Sequence, residues 1–333
     1  MRLSIPKISL TTVITLSCTL FSIPAIYAHT FSENENALFL TMIDKIKAET
    51  NLVAQDASNN TQQAQEHAKV AAALLTQTDP VVNTTWTSEI SERNPRITAD
   101  LLHSLNDLKT SIASGLGSSS NSSSVQLKVA NIDNLLDEAA AVRVGNNLVN
   151  NPKTQALVLA NLGNEIYNNY GKALGIPQST IASMGGMKMP VMSMNTAANS
   201  SSGGGSSGMS GMNTGSNKSS MNMGTGSSGG AMSGMNSMNG QATTMSPNNH
   251  SIKNITAYET TQSLATQAQQ VFNKGLKPVA PANATNANVQ IGKDVDQLKN
   301  AISSKAPFMN IMELVHVKLH PTMISAYNLT LGK

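Results

Sequence analysis

Soft sulfur is the chemistry this chain offers most densely. Of its 18 methionines, 13 lie between Met184 and Met245, among Gly, Ser, Asn and Thr. Met184, Met187, Met189, Met192 and Met194 follow one another every two or three residues. Met209 with Met212, Met221 with Met223, and the trio Met232, Met235 and Met238 come after. Thioethers are soft, uncharged donors that select Cu(I) over Zn(II), Mg(II) or Ca(II). Neighbours two or three apart on a Gly- and Ser-rich backbone can close several sulfurs around one ion, so a flexible Met-rich Cu(I) site is expected. The competing reading is a low-complexity spacer, or a Met-rich surface for apolar partners or for scavenging oxidants.

Nitrogen donors form a second, sparser set. His29 follows Ala28, the expected end of an export leader. Released there, its free amine and imidazole would chelate one copper ion. Glu313, His316 and His320 are spaced to share one side of a helix, since positions three and four apart are neighbours. The bland reading makes them surface or capping residues before Pro321. His67 sits beside the Ala68/Ala71 stripe and is expected to be a partly buried structural histidine.

The leader itself is a basic start at Arg2 and Lys7, an apolar run from Ile8 to Ile23, and a small residue at Ala28. That layout belongs to a secretory signal peptide. An uncleaved N-terminal anchor and a lipid attachment at Cys18 are the alternatives. Cys18 is the sole cysteine, so cleavage would leave no thiol, no disulfide framework and no cysteine nucleophile.

Charged residues are 12% of the chain and aromatics 3%, with a net charge of +3. Loss of Arg2 and Lys7 with the leader would bring the charge to about +1, too little to suggest a nucleic-acid partner, and the scarce aromatics argue against base-stacking or sugar platforms. No apolar run after residue 28 is long enough to span a membrane. Gly224, Gly226 and Gly229 match a dinucleotide fingerprint formally, but they lie in Gly/Ser repeats away from any strand. No catalytic constellation is found, and the chain is not read as an enzyme.

What must position these groups is helical. One face carries Leu38, Met42, Ile46 and Val53; another Ala64, Ala68, Ala71 and Leu75. A third carries Ile97, Leu101, Leu105, Leu108 and Ile112, and a fourth Val125, Val129, Ile132, Leu136 and Ala139. Asn151 and Pro152 open a fifth helix ending near Gly171 to Gly175. Residues 176–250 have too little apolar surface to offset their ordering entropy and are expected to be disordered. Periodicity resumes with Tyr258, Leu264, Ala268 and Phe272. A Pro/Ala/Asn connector covers Lys277 to Asn288, and a last stretch to Tyr327 is broken at Pro307 and Pro321.

The expected organisation is a signal peptide at 1–28, a helical bundle at 29–175, the Met-rich segment at 176–250, and C-terminal helices at 251–333 docking on the bundle. Two tethered bundles are the alternative. The fold class is all-α, an antiparallel bundle interrupted by a long disordered Met/Gly/Ser-rich segment.

The Met tract resembles the Met-rich arms of exported copper-handling proteins, and His29 resembles the histidine brace of copper monooxygenases and exported copper carriers. The brace needs a second histidine and usually sits on a β-rich fold. The stretch His29-Thr-Phe-Ser-Glu-Asn-Glu-Asn-Ala-Leu-Phe-Leu, with Glu89-Ile-Ser-Glu-Arg-Asn-Pro-Arg-Ile, is similar to exported helical proteins of ammonia-oxidising archaea. That similarity covers at most the first 175 residues and implies a copper-dependent setting. The expectation is an extracytoplasmic copper-handling or buffering protein whose partners are other extracytoplasmic copper proteins. Its rival is a structural or interaction protein of the cell surface.

Overall fold

A computed structural model describes residues 33–114, 122–185 and 251–329. The leader, His29 and every methionine from Met187 to Met245 lie outside the described residues, as does the disorder expected of the segment.

The described chain is an all-α antiparallel bundle, 84% helical. The only β pairing among the described residues is an isolated bridge between Thr78 and Thr85. Helices α1 (Glu33–Asp56), α2 (Thr61–Thr76), α3 (Trp86–Arg93), α4 (Pro95–Ala113) and α5 (Ser122–Arg143) come first. A single turn, α6 (Asn146–Val149), then leads into α7 (Pro152–Ala173) and α8 (Gln178–Gly185). After the undescribed segment come α9 (Ile255–Gln270) and, through a π-helical stretch Val271–Leu276, the short α10 (Lys277–Val279). A 3₁₀ turn at Ala282–Ala284 precedes α11 (Thr285–Ser303). α12 (Phe308–Met312) runs through a second π-helical stretch, Glu313–Leu319, into α13 (His320–Tyr327).

Asparagine begins most of the long helices. Asn60, Asn94, Asn151 and Asn254 each accept a backbone N–H of the first turn through the side chain, and Thr85 does so for α3. Pro95 and Pro152 follow their caps at positions whose N–H has no helical partner. Each such cap is worth about 1 kcal/mol. A chain with few charges thus fixes its helix starts with neutral side chains.

The apolar stripes converge on one core. Ile97, Leu101, Leu108 and Ile112 are fully buried, as are Val125, Ile132, Leu136 and Ala139. α1 packs on α2, α5, α7 and α9, and α9 packs also on α7 and α11. Segments from both sides of the Met-rich tract therefore build the same unit. Thr260 donates to Glu49 at 2.8 Å, Ser263 to the Ala48 carbonyl at 2.9 Å and Gln267 to Asp44 at 2.7 Å, fastening α9 to α1. Arg143, wholly buried, donates to Glu89 at 2.8 Å and to Asn36 at 2.9 Å, and lies over the Phe39 ring. It ties α5 to α3 and α1.

Three expectations need correction. The helical unit does not stop at residue 176: α8 follows, and Ile181 is fully buried. Ile181 fills the space beside Gly171, where a Cβ would collide with it; one buried isoleucine offsets what the polar composition around it suggests. The connector at 277–288 is largely helical, because α11 begins at Thr285. Finally, Pro321 does not break the last helix. It stands at the start of α13 directly after the π-helical stretch, whose wider turn relieves the proline's clash with the preceding backbone.

Candidate metal centre

Of the predicted ligands, Met184 falls at the end of α8, partly buried and packed against the core. It marks where the methionine tract leaves the helical unit. Met187, Met189, Met192, Met194, Met209, Met212, Met221, Met223, Met232, Met235, Met238 and His29 lie outside the described residues.

His316 and His320 are brought together, but Glu313 is not with them. The five-residue repeat of the π-helical stretch sets Glu313 against Lys318 at 3.2 Å. The two imidazoles meet edge to face with ring centroids 5.1 Å apart, and Tyr167 closes on His316 at 4.7 Å. His320 Nε2 donates to the Ala160 carbonyl at 3.0 Å. Burial, reinforced by neighbouring His316, pushes the His320 imidazole down to about 4, and burial also lowers His316. This is an apolar, aromatic setting that keeps both rings neutral. His316 Nε2 is buried there without a hydrogen-bond partner.

A different histidine gathers the charged ligand types. His67, on α2, is fully buried rather than partly so. Its Nδ1 stands 2.7 Å from Glu49 Oε2 of α1, so an Nδ1–H donates to that carboxylate. Its Nε2 lies 3.3 Å from Glu259 Oε2 of α9 and 3.8 Å from Asp56 Oδ2 at the end of α1. Glu49 is itself 2% exposed, and its second oxygen accepts the Thr260 hydroxyl. Gln63 donates to Glu259 at 2.9 Å. Asp56 Oδ2 is buried without a hydrogen-bond partner.

Charge accumulates here. Burial and the Glu259 charge push the Asp56 carboxyl up, with His67 opposing. Burial would lower His67, but Glu49, Glu259 and Asp56 together hold it above the ordinary imidazole range. Beside Asp56 and Glu259 opens a polar cleft of about 450 Å³, whose walls include Asn51, Gln55, Gln262 and Ser263. The interior of the unit therefore offers one nitrogen and several oxygens, with a wet approach.

Sequence reasoning passed over this cluster, yet it left a trace. Glu49 stands on the stripe between Ile46 and Val53, and His67 on the stripe between Ala64 and Ala71. Two ionisable residues at core positions were the readable signal. No protein-family model, characterised protein or solved structure matches this chain.

Proposed function

We propose that the protein handles copper outside the cytoplasm, with the thioethers between Met184 and Met245 as its Cu(I) site. The observation that carries this reading is the crowding of 13 methionines into one Gly- and Ser-rich segment of a chain with a single cysteine. Thioethers hold Cu(I) without being lost to disulfide formation and stay neutral at low pH, which suits an oxidising or acidic exterior. The helical unit serves as the platform: α8 delivers the chain into the segment, and α9 receives it back. The leader at residues 1–28 supports export, and other extracytoplasmic copper proteins are the partners such a carrier would serve. His29, if freed by processing, adds a separate Cu(II) chelate of nitrogen donors.

The test replaces the methionines from Met187 to Met245 with serine and titrates Cu(I) against a chelating competitor. Loss of Cu(I) stoichiometry with retained helical circular dichroism supports the proposal. An unchanged stoichiometry leaves the segment a spacer and favours a structural role at the cell surface.

A further inference from the structure

We infer that His67, Asp56 and Glu259 form a binding site for one first-row divalent cation inside the helical unit, distinct from the methionine tract. The inference stands on geometry that does not depend on how the tract is read. His67 Nε2, Asp56 Oδ2 and Glu259 Oε2 all lie within 4.8 Å of one another. Neighbouring ligands of a tetrahedral ion with bonds of about 2.0–2.1 Å stand about 3.4 Å apart. The separations of 3.3 Å and 3.8 Å from His67 Nε2 bracket that figure.

Three further features point to a cation. Glu49 takes the Nδ1–H of His67, which leaves Nε2, facing Asp56 and Glu259, as the nitrogen that would give up its proton to a cation. Metal-bound histidines are oriented by such a carboxylate on the far nitrogen. Glu49 is in turn pinned by Thr260, so the ring has no freedom to turn away. Second, the Asp56 oxygen aimed at this point is buried with no hydrogen-bond donor, a cost that a cation would remove. Third, three carboxylates surround this one imidazole, an excess of negative charge that a divalent ion would offset, and the polar cleft gives water a path to a remaining position.

The donor set defines the ion. With no sulfur it is a poor Cu(I) site, and with an imidazole it discriminates against Mg(II) and Ca(II), which prefer all-oxygen shells. Zn(II) and Cu(II) are the ions of the right character. The chain would then separate two metal chemistries: sulfur in the tract, nitrogen and oxygen in the bundle.

Zn(II) is the probe for the test. Metal-free full-length protein is titrated with Zn(II) against a chromophoric chelator, alongside Asp56→Asn, Glu259→Gln and Glu49→Gln. The expected result is one Zn(II) per chain, weakened about 10–100-fold in Glu49→Gln and at least as much in Asp56→Asn and Glu259→Gln. X-ray absorption of the Zn(II)-loaded chain should show nitrogen and oxygen neighbours and no sulfur. A chain whose tract methionines are serine should bind Zn(II) as before, which separates failure of this inference from failure of the copper reading. Absence of Zn(II) binding by the unaltered chain overturns the inference, and so does an affinity that the Asp56→Asn and Glu259→Gln variants leave unchanged. The first outcome would make the cluster a buried imidazolium held by carboxylates.

Discussion

His67 and His320 are almost equally buried, at 0% and 6% exposure, yet their surroundings are opposite in kind. His67 faces three carboxylates from α1 and α9, and they hold its proton on. His320 faces a backbone carbonyl, a second imidazole and aliphatic side chains, and it sheds its proton readily. Burial alone therefore says little about a histidine. What the neighbouring helices bring to its two nitrogens decides whether the site is a charged hub or part of an apolar core.

The charged hub is most sensitive at His67 itself. Replacing it with leucine leaves Glu49, Asp56 and Glu259 crowded around an apolar side chain, and removing one partner of a buried ion cluster typically costs about 3–5 kcal/mol. Urea denaturation of the metal-free chain should show a loss of that size. A loss under about 1 kcal/mol would mean the carboxylates relax into solvent.

Acid should act on the other histidine. Unfolded, the His320 imidazole takes up a proton near the ordinary 6.5; folded, it waits until about 4. Between those values the unfolded chain holds the additional proton, so stability falls as pH drops below 6.5 and stops falling below about 4. The full loss from this group is about 3 kcal/mol. Subtracting the profile of a His320→Leu variant from that of the parent isolates it. An unchanged difference across that window would contradict the burial argument.

The apolar end should also resist added volume. Gly171→Ala drives a methyl into Ile181, and overpacking of this kind costs about 1–3 kcal/mol. The mark of the mechanism is early proteolysis at α8 while α1 and α2 stay protected. The smallest effect belongs to His320→Leu at neutral pH. It forfeits one hydrogen bond to a carbonyl within α7, and a change of about 1 kcal/mol or less in thermal-unfolding stability is expected. That near-neutrality, set against the loss expected of His67→Leu, separates the apolar histidine from the charged one.

Much of the architecture could be read from spacing. The stripes through Leu101, Leu105 and Leu108 and through Val129, Ile132 and Leu136 became core, and Asn151 with Pro152 began a helix as their chemistry requires. These features are local, with partners three or four residues away. The His67 cluster is not local: Glu49 lies 18 residues before it and Glu259 192 residues after it in the chain, with Asp56 between Glu49 and the histidine. The π-helical stretches were equally out of reach, because nothing in Glu313–Leu319 departs from ordinary helix composition. The Glu313–His316–His320 alignment expected of a regular helix was lost with that one change of repeat. α8 was missed for a simpler reason: its docking rests on Ile181 and Met184, with the Tyr167 hydroxyl on the Ile181 carbonyl, too few groups to show in the composition.

The end of α7 carries a consequence for how this chain can change. Leu174 and Gly175 close the helix, with Gly175 at a φ of +73° that favours glycine, and the Cβ of another residue there would meet Lys253. The Ala173 carbonyl then receives the N–H of both Lys253, at 2.8 Å, and Asn254, at 3.1 Å. The returning chain is thus fastened to the end of α7, ahead of the α8 from which it left. α9 is therefore seated by backbone contacts that the intervening segment does not supply. Changes in the number of methionines between residues 187 and 249 touch none of the groups that make these contacts.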